Sequence, residues 1–266
     1  MVQNRVLVQK INRCYNLTTN LKIEVKISQN LFKWKHFESE IILLCIRWYL
    51  KYPISYRMLV EMMQERGLNL THTTIMRWVH QYSPIINEKV RKHLKPTNDS
   101  WRMDETYLKI KGKSAYLYRA VDSAGNTIDF LVSEHRDKDA AKKFFKKALK
   151  AFHNQQPRVI TTDKYIATEI AIHEIIYSGT LSVKTTLRKV KYLNNIIEQD
   201  HRFIKRKIRP MLGFESFKTA VKTICGIEIM HMIRKGQVEE IQSALSRIIS
   251  SLIKLWGWLL KKLLDW

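Results

Sequence analysis

Three acidic residues of this 266-residue chain stand where an acid is costly: Asp104, Asp163 and Glu198. Asp104 lies inside Trp101-Arg-Met-Asp-Glu-Thr-Tyr107, a run whose period-two pattern suits a half-buried strand. Asp163 follows the short apolar run that starts at Val159, and Glu198 sits between Ile197 and Gln199 in a basic segment. Desolvating such carboxylates is unfavourable unless a cation compensates. Carboxylate oxygen suits Mg²⁺, which keeps waters for catalysis. Two such ions, about 4 Å apart, activate an attacking oxygen and stabilise the leaving oxygen of a phosphodiester. Taken singly, each acid reads more plainly as a surface or ion-paired group, as Glu105, Asp122 and Asp129 do. The set of three, with 34 residues between Asp163 and Glu198, raises the chemistry.

Other chemistries lack their residues. Lys111-Gly-Lys-Ser114 resembles the end of a phosphate loop, but the first glycine of that pattern would fall at Tyr107. No H-E-x-x-H or G-x-S-x-G string occurs, and His173-Glu174 lacks the cysteine pair of a zinc deaminase. The residue three after His201 is Ile204, not the arginine of a tyrosine recombinase. Cys14, Cys45 and Cys225 are far apart, which disfavours a zinc knuckle or a disulfide framework and fits a reducing compartment. No signal peptide is legible in the first 30 residues, and the apolar run 41–50 is too short to span a bilayer, so a cytoplasmic location is expected.

The charge points to a partner. Lys plus Arg number 47 against 24 Asp plus Glu, a formal net charge of +23. Such self-repulsion is relieved by a polyanion, nucleic acid first and anionic membrane second. Apolar residues at 45% provide for a real core and exclude a mainly disordered chain.

The elements that must position these residues fall into two sets. Residues 1–30 are an extension with no usable pattern. In residues 31–84, the apolar run 41–50 stops before Pro53, Ser55 can cap a second helix ending near Gly67, and Thr71 can cap a third. In that third helix Ile75, Trp78, Val79 and Tyr82 form one apolar stripe, opposite Thr73, Arg77, His80 and Gln81. The pattern predicts an all-α helix-turn-helix domain whose recognition helix spans 72–82, an ordinary three-helix bundle being the plainer alternative. Residues 85–100 read as a linker. From residue 101 to 236 the order is three strands (102–110, 115–121, 127–132), a helix on Ala141, Phe144, Phe145, Ala148, Leu149 and Phe152, a strand at 158–162, a helix at 167–177, a strand at 181–186, and a long helix from about Asn194. That order predicts an α/β domain with a mixed five-stranded sheet and flanking helices, ribonuclease H-like in type. Residues 237–266 read as a basic amphipathic helical tail. Packing on the body or a second subunit, interfacial membrane binding, and mutational alteration of the end are the readings open for it.

Several strings resemble those of bacterial insertion-sequence transposases of the DDE type, the IS-six family. They are Phe32-Lys-Trp-Lys-His-Phe37, Arg47-Trp-Tyr-Leu-Lys-Tyr52, His72-Thr-Thr-Ile75, Trp101-Arg-Met-Asp-Glu-Thr-Tyr107, Tyr116-Leu-Tyr-Arg-Ala120, Asp163-Lys164, Lys191-Tyr-Leu-Asn-Asn-Ile-Ile-Glu-Gln-Asp-His-Arg202 and His231-Met-Ile-Arg-Lys235. The resemblance covers residues 31–236. It implies that Asp104, Asp163 and Glu198 are a metal-binding catalytic triad for Mg²⁺, two ions, with Mn²⁺ as a substitute. It also implies that the N-terminal domain reads the terminal inverted repeats of an element, as part of a homo-oligomer on DNA. Lys191, Arg202, Lys205 and Arg206 crowd around Glu198, and basic groups one and two turns beyond it would meet the flanking phosphates. The chain departs from the family at residues 165–168, Tyr-Ile-Ala-Thr in place of Asn-Pro-Ala-Tyr. The expected activity is therefore transposition, by Mg-dependent strand cleavage and strand transfer into target DNA. The alternative is a transposase-derived helix-turn-helix protein that has lost catalysis.

Overall fold

A computed structural model of the chain describes residues 36–163, 165–190 and 195–238. The chain divides into two compact units, one ending at Leu44 and one beginning at Cys45, a division that falls inside the first helix. That helix, α1 (Ser39–Lys51), ends two residues before Pro53, because the ring disfavours helical geometry in the residue before it. The α2 helix (Tyr56–Gln64) begins where expected: the Ser55 hydroxyl accepts the Met58 N–H at 3.1 Å. Gly67 then leaves with φ +73, a left-handed turn that a side chain resists. The Thr71 hydroxyl caps α3 (His72–Arg91) by accepting from the Thr74 N–H.

The third helix is longer than its sequence suggests. It runs through Pro84 to Arg91 and so takes up the first half of the segment read as a linker. Pro84 removes one backbone donor, but Ser83 and Val90 on either side are buried and Arg91 pairs with the fully buried Asp129 at 2.5 Å. Tertiary anchoring at the far end overrides the local breaker.

The sheet matches its sequence pattern closely. Strands β1 (Ser100–Ile110), β2 (Lys113–Asp122) and β3 (Thr127–Ser133) form an antiparallel meander. Strand β4 (Val159–Thr161) pairs parallel to β1, and β5 (Thr186–Arg188) parallel to β4. The order is β3-β2-β1-β4-β5, the mixed five-stranded ribonuclease H-like arrangement. Two helices, α4 (Lys138–Lys150) and α5 (Ile166–Tyr177), cover one face. Their Phe144, Phe145, Ala171, Ile172 and Ile175 pack with Trp101, Met103, Tyr118, Ala120 and Ile160. The other face receives α6 (Asn195–Ile208) and α7 (Phe217–Arg234).

Three details depart from the sequence expectation. The fifth strand lies at Thr186–Arg188, not 181–186, because its register with β4 pairs Thr186 with Val159 and Arg188 with Thr161. Leu181 goes into the core instead. Phe152 lies beyond the end of α4 and is exposed. The long helix from residue 194 is interrupted after Ile208 by a 3-10 turn (Arg209–Met211) holding Pro210. Gly213 follows at φ +112, where a Cβ would sit 2.9 Å from the Lys109 carbonyl oxygen. The Phe214 N–H donates to that same oxygen at 2.8 Å, which ties the turn to β1. The tail 237–266 lies outside the described residues except for its first two positions, and residues 1–30 lie wholly outside them.

Candidate active site

The pairing of β1 with β4 ends at Arg102 and Thr161. Beyond that point β4 no longer pairs with β1, whose next partner on this side among the described residues is Phe214, bridged to Ile110. Asp104 and Glu105 on β1 and Asp163 just after β4 converge there. Each offers a carboxylate oxygen, and the three lie within 4.8 Å of one another. Burial along β1 changes phase at this point: Trp101 and Met103 are buried before it, Thr106, Leu108 and Ile110 after it, and both acids lie between as partly exposed residues, the Glu105 side chain itself being almost fully buried.

The charges there are only partly compensated. Burial first, then the negative charges of Glu105, Asp163 and Glu198, push the Asp104 carboxyl up to about 7. Glu105 is also raised, by burial, with Arg136 opposing. Arg136 Nη2 stands 3.1 Å from Glu105 Oε2 and 3.3 Å from Asp163 Oδ2. Glu198, exposed in the first turn of α6, lies outside the group of three oxygens but close enough for its charge to act on Asp104. A set of hard oxygen donors with excess negative charge fits a divalent cation.

The acids that the sequence set aside divide. Asp129 and Asp122 are structural. Burial opposes ionisation of Asp129, but Lys147 at 2.9 Å and Arg91 at 2.5 Å hold its carboxyl below the usual range. Asp122 accepts the N–H groups of Ala124 and Asn126 in the β2–β3 turn. Glu105 does belong to the cluster. A strict alternation along β1 places it opposite Asp104, yet a carboxylate oxygen of each lies within 4.8 Å of the other and of Asp163. Arg136, in the loop before α4, carried no sequence signal.

A second charged cluster lies behind α6. Arg119 of β2 is fully buried, with Nε 2.7 Å from Glu228 Oε1 on α7 and Nη2 2.8 Å from Asp200 Oδ2 on α6. His231 Nε2 and Lys235 Nζ reach Asp200 Oδ1 at 2.8 and 2.6 Å. Burial opposes its ionisation, but these partners hold the Asp200 carboxyl well below the ordinary range. The network fixes the rotation of α6 two residues from Glu198. Lys207, buried near the far end of the helix, donates to the Ile54 carbonyl at 3.1 Å and lies 3.8 Å from the centre of the Tyr49 ring.

The expected DNA contacts are distributed as follows. Thr73, Arg77 and Gln81 form an exposed stripe at four-residue spacing on α3. His80 is half-buried instead; burial and the Lys222 ammonium hold its imidazole below the usual range. Arg202, Lys205 and Arg206 are exposed on α6, the first two on the face of Glu198. Lys191 lies outside the described residues.

An acid cluster beside the central strand of a ribonuclease H-like sheet is the arrangement of an enzyme that transfers phosphodiesters on nucleic acid. The family described as a DDE domain (DDE_Tnp_IS240) matches residues 98–237. The transposase for insertion sequence-like element IS431mec of Staphylococcus aureus is 40% identical over 214 residues, 80% of this chain and 92% of that protein. The transposase for insertion sequence element IS257 in transposon Tn4003, also of Staphylococcus aureus, is 39% identical over the same shares. Among solved structures, the HTLV-2 integrase catalytic core domain in complex with magnesium is similar at 16% identity and TM-score 0.39, over 50% of this chain and 84% of that one. The chain belongs to the DDE transposases of the IS-six family. Among the described residues, no helix is long and apolar enough to cross a membrane.

Proposed function

We propose that Asp104, Asp163 and Glu198 hold Mg²⁺ and carry out strand cleavage and strand transfer at the ends of an insertion sequence. The observation that supports this most directly is the convergence of Asp104 and Asp163 with Glu198 close enough to shift the Asp104 carboxyl. Two ions fit the reading, with Mn²⁺ as a substitute; when bound they supply Lewis acidity and lower the pKa of an attacking hydroxyl. Arg202 and Lys205, on the exposed face that follows Glu198, take the phosphates beside the scissile bond, with Arg206 and Lys191 near them. Water frees a 3′-hydroxyl at the element end. That hydroxyl then attacks a target phosphodiester, one ester bond forming as another breaks, so no covalent protein–DNA link is needed.

Residues 31–84 serve as the helix-turn-helix domain and 101–236 as the catalytic domain. Thr73, Arg77 and Gln81 enter the major groove of the terminal inverted repeat, with His80 at the margin of that face. The active species is a homo-oligomer bringing two ends together in the cytoplasm, at the nucleoid.

The test uses the full chain, labelled element-end DNA and Mg²⁺, comparing wild type with Asp163→Asn. The reading expects joined products from wild type and background from the variant, with equal end binding. Equal joining by both proteins rejects the triad. End binding by wild type without any cleavage selects the non-catalytic DNA-binding alternative.

A further inference from the structure

Asp163 differs from Asp104 in how it is placed. Asp104 sits in the β1 ladder opposite Arg119, so backbone pairing fixes its origin. Asp163 lies past the last residue of β4, in neither strand nor helix, with its side chain two-fifths exposed. Its orientation depends on side-chain and loop contacts. Oδ1 accepts the Tyr165 N–H at 3.0 Å, and Oδ2 faces Arg136 Nη2.

Arg136 is itself held on three sides. Its Nη2 reaches Glu105 Oε2, its guanidinium carbon lies 3.9 Å from the centre of the Tyr165 ring, and its carbonyl accepts the Tyr165 hydroxyl at 2.8 Å. Glu105 is almost fully buried, and its other oxygen accepts from the Thr168 hydroxyl of α5 at 3.2 Å. Both Glu105 oxygens are therefore engaged by the protein, and the residue anchors Arg136.

We propose that Arg136, gripped by Glu105 and Tyr165, is the positioning residue for Asp163 and aims its carboxylate into the cation site. The proposal rests on the reading of Asp163 as a metal ligand. One guanidinium nitrogen, Nη2, meets both carboxylates while the guanidinium plane lies against a ring; a lysine ammonium keeps the charge but loses the planar stack. Outer partners of this kind carry roughly 10–100-fold of metal affinity.

The experiment measures Mn²⁺ binding to the full chain by electron paramagnetic resonance, with thermal unfolding and element-end binding as controls. Strand transfer against Mg²⁺ concentration runs in parallel. Arg136→Lys is expected to weaken Mn²⁺ binding by about tenfold or more and to raise the half-maximal Mg²⁺ in proportion, with melting and end binding as in wild type. Tyr165→Leu, which leaves both ion pairs, shifts Mn²⁺ binding in the same direction by less, and Tyr165→Phe retains more affinity than Tyr165→Leu. Wild-type Mn²⁺ affinity in a folded Arg136→Lys protein overturns the proposal. Should that variant unfold, wild-type affinity in Tyr165→Leu overturns it equally. Weaker Mn²⁺ binding in the variants, with no strand transfer by wild type, keeps the positioning role and rejects transposition; transfer by wild type with unshifted Mn²⁺ binding does the reverse.

Discussion

Two charged clusters adjoin on β1 and β2, where Asp104 of one pairs in register with Arg119 of the other, and they are built on opposite plans. The one beyond the end of β4 gathers Asp104, Glu105 and Asp163, with Glu198 nearby, around a single arginine. The one behind α6 sets Arg119 and Lys235 against Asp200 and Glu228, with His231 neutral because burial pushes its imidazole down to about 4. Charge in the first is in excess, and Asp104 is raised. Charge in the second is balanced, and Asp200 is lowered, although burial raises Glu228 beside it. Burial acts on both clusters alike, so the difference comes from the partners. An acid cluster left short of cations is prepared for one from outside; a neutral cluster is a brace. Here the brace holds the helix that presents Glu198.

The comparison breaks most visibly at Arg119. Replacing it with methionine strands Glu228 and part of Asp200 in the interior, and urea denaturation should register a loss of about 3–5 kcal/mol. A cost near zero would mean that the network does not brace α6. The acid cluster should respond to cations instead. Mn²⁺ at roughly a hundred times its dissociation constant should stabilise the wild type by about 2.7 kcal/mol, and a chelator should reverse the gain. Asp163→Asn should lose most of that response, while an intact brace leaves its unliganded stability close to wild type. Identical Mn²⁺ responses in the two proteins would place the cation elsewhere.

A third prediction concerns the packing that joins α3 to α7. A Cβ at Gly226 would come within 2.5 Å of Ser83 Oγ and 2.7 Å of a Leu50 methyl. Gly226→Ala should therefore cost about 1–3 kcal/mol through overpacking, despite the better helix propensity of alanine. A last effect is a pH dependence at the far end of α6. Burial lowers the Lys207 ammonium to about 7 although the Tyr49 ring favours the charged form. Between that value and the ordinary lysine range the unfolded chain binds more protons than the folded one, so this group makes stability rise with pH. Lys207→Met should lack that rise, and the stability of wild type relative to the variant should grow from about pH 7 to about pH 10. A constant difference across that window would show that Lys207 stays charged when folded.

Much of the architecture is legible in the sequence, because it rests on local rules. Ser55 and Thr71 cap the helices they were expected to cap, and the period-two runs of the meander become strands within two residues of their expected ends. What failed depended on distant partners. Arg91 and buried neighbours carry α3 through Pro84, and register with β4 moves β5 toward Arg188. His80 reads as part of a free helix face until α7 brings Lys222 beside it.

The site divides in the same way. Residue type and spacing by themselves determined that Asp104, Asp163 and Glu198 are candidates for a hard cation, since an acid in an apolar strand or basic helix carries a desolvation cost visible from its neighbours in the chain. Tertiary structure alone decided which charges meet. Glu105 looked like a bystander because alternation puts consecutive strand residues on opposite faces. Yet both acids come within reach of Asp163 beyond the end of β4, and Arg136 arrives there from a loop with no periodicity to announce it. Pairing between charges depends on distance in space, and sequence patterns report only distance along the chain.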